Sequence, residues 1–277
     1  MPAVAADVVF AAHWWLTVQT AVALWSIGMS ALLGLAAWAS RSATPLAAST
    51  GALLTAGMIF STVRFPYQPW RTALIPILAL LVLTSLATRM GRRQKEQLGT
   101  AERRKGRVAA QVAANLGAAA LLSSDAAQGW ITAQRWLPRL GPALIFAAAL
   151  AALSEAAADT VSSELGQVLS SRPRMITTLR VMEPGTDGAI SIGGTFAGAV
   201  AAAVVSAAGA WALGGGWILL AICWSSGVFG LLFDSLLGAT LERRGLLNND
   251  AVNFLSTLSA AAFALVLLSI ISHRIGV

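Results

Sequence analysis

Long apolar runs separated by short polar breaks dominate the chain. They lie at about residues 12–38, 46–63, 72–88, 108–123, 142–165, 194–213, 216–237 and 254–271, and none of them alternates polar with apolar positions. A helix needs about 18 to 20 apolar residues to cross a bilayer. Inside hydrocarbon only helices and closed barrels pair all of their own backbone polar groups. Barrel strands read as short alternating segments, so the pattern predicts an all-α polytopic transmembrane helix bundle with about eight spans. Trp14, Trp15, Trp38, Trp70, Trp130, Trp136, Trp211 and Trp217 fall near the expected span ends, where amphipathic rings favour the headgroup region. The stretch 125–140 is amphipathic and is expected to lie along the outer interface.

Composition agrees with the pattern. Hydrophobic residues make up 57% of the chain and charged residues 11%, against about 25% charged in a soluble domain. The expected organisation is one transmembrane domain over 1–277. Three spans occupy 1–88, a basic loop 89–107, and a five-span part 108–277 carries the candidate chemistry.

Charge then sets an expected orientation. Nineteen Lys and Arg face twelve Asp and Glu, and eight of the positives lie between Arg89 and Arg107. Such a run alone suggests nucleic acid; between two spans it reads as a cytoplasmic topology signal, so no nucleic-acid partner is expected. With that loop inside, Arg41, Arg172, Arg174, Arg180, Arg243 and Arg244 are also inside, and fourteen of the nineteen positives share one face. Arg64, Arg71, Arg135, Arg139 and Arg274 then lie outside, as do both termini. The N-terminus has Asp7 and no Lys or Arg before the first span, unlike a cleavable signal peptide. Cys223 alone cannot form an internal disulfide. His13 and His273 stand at opposite ends and no CxxC or HExxH spacing occurs, so the chain lacks zinc-ligand spacing.

Acids inside membrane spans are costly and mark functional positions. Glu155 and Asp159 fall in the fifth expected span and Asp234 in the seventh. Both spans descend toward the inner face. Asp159 lies six residues from the expected end, about 9 Å deep at 1.5 Å per residue, and Asp234 is at a similar height above Arg243 and Arg244. Asn115 and Asn253 reach the same depth from the fourth and eighth spans. Glu155, Asp159 and Ser163 repeat every four residues along one helix face. Asp159-Thr160 and Asp234-Ser235 are both acid–hydroxyl pairs. Two carboxylates from different helices suit a hard cation such as Mg²⁺, which keeps several waters and binds one or two carboxylates plus substrate phosphates.

The loop over 172–194 supplies the complementary chemistry. Pro184-Gly185 and Asp187-Gly188 are turn signals, and glycines there let backbone N–H groups converge on an anion. Thr177, Thr178, Thr186 and Ser191 add donors, and Arg172, Arg174 and Arg180 add charge for phosphate. A helix expected to begin near Gly193 presents its N-terminus to the same place. There is no GxxxxGK[ST] motif, which excludes a P-loop NTPase. No Ser-His-Asp or Cys-His set can be built at the inner face. Phosphoryl transfer requires positioning, metal and positive charge rather than a covalent protein group.

The motifs together resemble the transmembrane protein 19 family. They are Thr88-Arg89, Gln111-Val112 with Asn115, the run from Asp159 to Gly166, Ile176-Thr177-Thr178, Gly185-Thr186-Asp187-Gly188 with Ser191, Asp234-Ser235-Leu236-Leu237-Gly238-Ala239, and Asn248-Asn249 with Asn253. The similarity runs from about Leu46 to the C-terminus. The usual Asn-Gly-Gly reads Asn115-Leu116-Gly117 here, and a Phe-Phe common in the third span is absent. The family includes plant phytyl-phosphate kinases. The resemblance therefore implies conversion of an isoprenyl monophosphate lipid to its diphosphate with a nucleoside triphosphate, CTP or ATP, among membrane lipids. More distantly the motif order is similar to membrane enzymes that use CTP. On this reading Asp159 and Asp234 hold Mg²⁺ and Asp187 assists. Ser163, Arg174, Thr178, Arg180, Gly185, Thr186, Gly188, Ser191 and Ser235 surround the phosphates, which Asn115 and Asn253 orient. Two alternatives use the same residues: a nucleotidyltransferase acting on a lipid phosphate, and a transporter or scramblase with the acids as an ion relay.

Overall fold

The computed structural model describes residues 1–100, 106–133, 142–170 and 172–275. Among these described residues eleven α-helices run in order: α1 Pro2–Val18, α2 Thr20–Ala39, α3 Pro45–Ser61, α4 Leu74–Arg89, α5 Arg92–Leu98, α6 Ala109–Ser123, α7 Asp125–Ala133, α8 Pro142–Leu169, α9 Ile192–Leu213, α10 Gly216–Leu237 and α11 Asn249–Ile275. Two short antiparallel strands, β1 Arg174–Met175 and β2 Ala189–Ile190, pair within the loop between α8 and α9.

Local chemistry explains several boundaries. Thr44 caps α3 by accepting the Ala47 N–H, with Pro45 in the first turn, where the missing N–H costs nothing. Ser191 caps α9 by accepting the Gly194 N–H at 3.1 Å. Gly214 ends α9 at φ +69°.

The expected first span, 12–38, is two helices rather than one. Gln19 leaves the helical region at φ −153° and ψ 88°, although its N–H still reaches Trp15 O. Apolarity averaged over a window cannot register a break one residue wide. α2, α9, α11 and α10 with its extension to Glu242 are long and apolar enough to cross a membrane. α4 and α5 make a fifth such unit if their 63° bend is counted within one span. α1, α3 and α6 are apolar but have 17, 17 and 15 residues. This is a multi-pass, all-α membrane protein; among the described residues four helices, or five units with α4–α5 counted as one, are long and apolar enough to cross a membrane, against about eight spans expected. Of the interfacial stretch 125–140, residues 125–133 form α7. Arg135, Trp136, Arg139 and the loop residues Arg103, Arg104 and Lys105 lie outside the described residues.

α8 is the central helix and packs against α4, α6, α9, α10 and α11. Its middle is a run of buried alanines, from Ala147 to Ala158. Small residues let these backbones approach closely without large side chains between them. At Gly198, for example, an added Cβ would meet Ala158 O of α8 at 2.7 Å.

The basic loop does not simply hang in solvent. α5 folds back so that Lys95 is 1% exposed. Its Nζ donates to Ala87 O at 2.8 Å and Thr88 O at 3.3 Å, the open end of α4, and to Glu164 Oε2 of α8 at 2.5 Å. Thr88 Oγ1 donates to the other Glu164 oxygen at 3.1 Å. One positive charge of the expected topology signal is therefore a buried structural tie. Removing one partner of a buried ion pair costs about 3–5 kcal/mol, while exchanging both for apolar groups costs far less. Lys95→Met is expected to lower the thermal midpoint of the detergent-purified protein clearly. Lys95→Met combined with Glu164→Leu should recover most of that loss in the same melt. Equal midpoints for wild type and Lys95→Met would remove this role.

At the opposite end of the bundle, Arg64 Nη1 donates to Leu213 O at 2.8 Å, and Arg71 donates to Trp211 O with its guanidinium 4.6 Å from the Trp211 ring. Both cap the C-terminus of α9, where positive charge is favoured.

Candidate functional site

Glycines bring α10 against α8 where the acids lie. A Cβ on Gly230 would run into Glu155 Cγ and would meet Ala260 Cβ of α11 at 2.9 Å. One at Gly227 would meet Ser154 Cβ at 3.0 Å. Glu155 is thus enclosed between α8, α10 and α11, and it is 1% exposed. One turn along α8, the Asp159 carboxyl meets that of Asp234 from α10. Ser256 of α11 stands beside both Glu155 and Asp234. Glu155 Oε1, Ser226 Oγ and Asp234 Oδ1 are buried without a hydrogen-bond partner. Such oxygens are costly to leave unpaired.

The Gly-rich turn lies against the end of α10. Gly188, at φ +73°, packs on the backbone of Ala239, and a Cβ on Gly238 would meet the Gly188 nitrogen at 2.9 Å. The turn is held from its other side by Ile176 N–H donating to Gly188 O at 3.1 Å and Met175 N–H to Arg180 O at 2.9 Å. Gly185, at φ +86°, packs on the Thr100 side chain, so the basic loop touches the same turn. Thr100 Oγ1 also donates to Gln167 Oε1 of α8 at 2.5 Å. The C-terminal ends of α4, α8 and α10 and the N-terminal end of α9 therefore meet around one face.

Beyond α10 the helix widens into a π-helical turn over Gly238–Glu242, a rare geometry found at functional positions. It keeps Glu242 close enough to Asp187, Asp159 and Asp234 for these carboxyls to influence one another electrostatically. The sequence reading did not single out Glu242. The signal was present, because Asp234 and Glu242 are eight residues apart and share a helix face.

Other expected site residues use their polar groups locally. Asn115 Nδ2 donates to Gln111 O at 2.8 Å within α6. Ser163 Oγ donates to Thr160 O and Ser235 Oγ to Leu231 O, each within its own helix. Thr186 Oγ1 donates to Glu183 O at 2.7 Å inside the turn. Arg174 Nη1 donates to Leu179 O at 2.9 Å, folding back on its own hairpin, while Arg172, Thr178 and Arg180 are exposed. Ser191 is the α9 cap, and Asn253, half-buried, accepts the Ser256 hydroxyl at its backbone oxygen. Asp159, Asp234, Asp187, Gly185 and Gly188 are the expected residues that the structure gathers on one face. A separate cleft of about 320 Å³ lies between α1, α3 and α6, far along the bundle from these carboxyls. Its Asp7 is occupied in accepting the Asp125 N–H at the start of α7 at 3.1 Å. That cleft brings no comparable set of unpaired oxygens together, so the carboxyl group between α8 and α10 is the better candidate.

Among the described residues no three His, Cys, Asp or Glu converge to hold an ion directly. An ion placed between Asp159 and Asp234 would complete its shell with water and phosphate oxygens. That donor set, hard and incomplete, with Asp234 Oδ1 lacking a partner, fits Mg²⁺ better than a metal needing an all-protein cage.

A family described as integral membrane protein DUF92 matches residues 28–261. Over 110 residues the chain is 44% identical to an uncharacterized membrane protein of Methanocaldococcus jannaschii, covering 39% of this chain and 45% of that one. Over 200 residues it is 34% identical to an uncharacterized membrane protein of Synechocystis, covering 71% and 73%. Over 190 residues it is 30% identical to Protein VTE6, chloroplastic, of Arabidopsis thaliana, covering 65% and 54%. The alignments thus span about half the length of the archaeal and plant relatives. No solved structure matches the chain.

Proposed function

The chain belongs to the integral membrane protein family DUF92, and on that footing we propose that it is a membrane kinase converting an isoprenyl monophosphate to the diphosphate. The phosphoryl donor is a nucleoside triphosphate, CTP or ATP, and the acceptor is phytyl- or geranylgeranyl-like. The observation that carries this reading is the meeting of Asp159 and Asp234 beside the Gly188 turn, at the helix ends that also receive the basic loop. The motif resemblance to a family containing phytyl-phosphate kinases supports the substrate class, and a chloroplastic plant relative is in keeping with it.

In the proposed reaction an oxygen of the isoprenyl phosphate attacks the terminal phosphorus of the nucleotide. The bond to the bridging oxygen breaks, and nucleoside diphosphate leaves. Asp159 and Asp234 would hold Mg²⁺, which when bound offsets the charge on the phosphate oxygens. The backbone around Gly185 and Gly188 cradles a phosphate, and Asp187 and Glu242 flank it. The isoprenyl tail remains among the helices and lipid. Eight crossings, with the two carboxyls near the cytoplasmic surface and both termini outside, complete the proposal; the concentration of Lys and Arg at this end supports that orientation.

Purified full-length protein given phytyl or geranylgeranyl phosphate, magnesium and CTP or ATP is expected to release the isoprenyl diphosphate and a nucleoside diphosphate, resolved by mass spectrometry. Release of pyrophosphate with a nucleotidyl-lipid would assign nucleotidyl transfer instead. Absence of any nucleotide-dependent product, with ion-coupled flux in liposomes, would assign transport.

A further inference from the structure

The chain between α8 and α9 makes a second, tighter hairpin over 173–182. Arg174 pairs with Val181 on one edge and with Ile190 on the other, and Met182 N–H donates to Pro173 O at 2.9 Å. At its tip Leu179 sits at φ +57°, a left-handed conformation that glycine adopts freely and a larger residue disfavours. It is held there from three sides. Leu179 N–H donates to Met175 O at 2.8 Å, Met175 N–H to Arg180 O at 2.9 Å, and Arg174 Nη1 to Leu179 O at 2.9 Å. What this costly backbone presents is an apolar side chain that is 62% exposed, with Val181 also exposed two residues on. Backbone strain held in place by surrounding bonds clusters in functional segments. Leaving a leucine uncovered at the same residue adds a second cost, which burial in an apolar environment would remove.

Single exposed apolar residues are ordinary. This pair stands out by its neighbours. Residues 172–182 carry Arg172, Arg174 and Arg180, all exposed, and no acid. The next loop, joined to the hairpin where Arg243 Nη1 lies 3.7 Å from Met175 Sδ, repeats the pattern with exposed Arg243, Arg244 and Leu246. Apolar side chains among basic ones match a surface that is greasy beneath and negative above, which is an anionic lipid leaflet. The hairpin is also rooted at the level of lipid. α9 is long and apolar enough to cross a membrane, and its first residue, Ile192, is 93% exposed, with Phe196 exposed one turn on. Ile190 of the hairpin precedes Ile192 by two residues. The tip lies roughly two residues along the strands from the Ile190 row, about 7 Å. The headgroup layer adds about 5–7 Å to each side of the hydrocarbon core, so the two lengths match.

We propose that the 173–182 hairpin is a membrane-interface contact. Leu179 and Val181 enter the headgroup layer of the surrounding bilayer, and Arg172 and Arg180 bind anionic phospholipid there. Arg174 is the positioning residue that fixes the tip through Leu179 O. The contact is independent of which reaction the carboxyl pair carries out.

The test uses full-length protein in nanodiscs, made either of phosphatidylcholine alone or of phosphatidylcholine mixed with phosphatidylglycerol. Cys223, the single cysteine of the chain, is buried, so Leu179→Cys takes an NBD fluorophore selectively. Quenching is read with acyl-brominated phosphatidylcholine in the disc and with iodide in the water. In anionic discs the label is expected to be shielded from iodide and to show at least about twofold more lipid quenching than in zwitterionic discs. Adding Arg172→Gln and Arg180→Gln should bring lipid quenching to the zwitterionic level, since each basic side chain near an anionic surface is worth roughly fivefold in partition. Val181→Cys, labelled in the same way, should follow Leu179→Cys and provides the reading if the latter disturbs the turn. Labels that iodide reaches freely and brominated lipid leaves unquenched overturn the proposal. Shielding from iodide without lipid quenching also overturns it, because a protein surface such as a second copy of the chain would then cover the tip. So does lipid quenching that is indifferent both to phosphatidylglycerol and to the two arginines, since no anionic lipid would then be recognised.

Discussion

Asp159→Asn is expected to cut phosphoryl transfer by on the order of 10³-fold, the scale of removing a preorganised charge from the reacting centre, while the protein still folds. The substitution keeps shape and volume and deletes one negative charge. Asp159 already faces Asp234, with Glu155 and Glu242 near by. Stability should therefore hold or rise, because like charges in a poorly solvated place repel. Turnover falls for the opposite reason: the lost charge is one of the two carboxylates assigned to the metal. The measurement is initial rate of isoprenyl-diphosphate formation beside a thermal melt of the same preparation. If the pair works as a unit, Asp159→Asn combined with Asp234→Asn should be scarcely worse than either alone. Near-wild-type rates in Asp159→Asn would detach the carboxyl pair from the chemistry.

That the two acids lie at one level along their helices was legible from sequence because a helix advances a fixed 1.5 Å per residue. Counting back from the polar ends of two apolar runs brings Asp159 and Asp234 to one level without any knowledge of packing. Their side-by-side placement follows from Gly227 and Gly230, which a sequence reader sees only as generic small residues. Glu242 was passed over because it precedes Arg243 and Arg244 and so reads as part of a solvated connection. The π-helical turn that keeps it beside the acids has no local residue signature of its own. Lys95 and Arg107 were read as members of a charge run. Charge statistics bear on a side of the membrane but say nothing of individual fates, and here one is buried against Glu164 while the other is half-buried where its backbone pairs with Ala43 in the α2–α3 connection. Conversely, Arg174, Thr186 and Ser191 seemed to serve an anion because of the company they keep. In the fold their polar groups first satisfy Leu179 O, Glu183 O and the Gly194 N–H. Residue type near a turn identifies possible donors, and only geometry shows where each bond goes.

Gly188→Ala should also be severe, with a loss of on the order of 10²-fold in turnover and a folded protein. Two costs fall on this position. A left-handed backbone at φ +73° disfavours any Cβ by about 1–2 kcal/mol. The added carbon would also strike the backbone of Ala239, which cannot rotate away as a side chain could. The turn must lift from the end of α10, moving Asp187 and the backbone N–H groups away from Asp159 and Asp234. Gly245 separates the two costs. It has nearly the same backbone angle, φ +70°, but nothing lies within 4 Å of an added Cβ. Gly245→Ala therefore carries the conformational cost alone and is expected to keep turnover within about threefold of wild type, since a surface change of this kind seldom reaches a distant site. Comparing the two variants by rate and thermal midpoint isolates the contact between turn and helix. Equal rates in both would mean that the seating of the Gly-rich turn on α10 contributes nothing to catalysis, and the phosphate would have to be held elsewhere on this face.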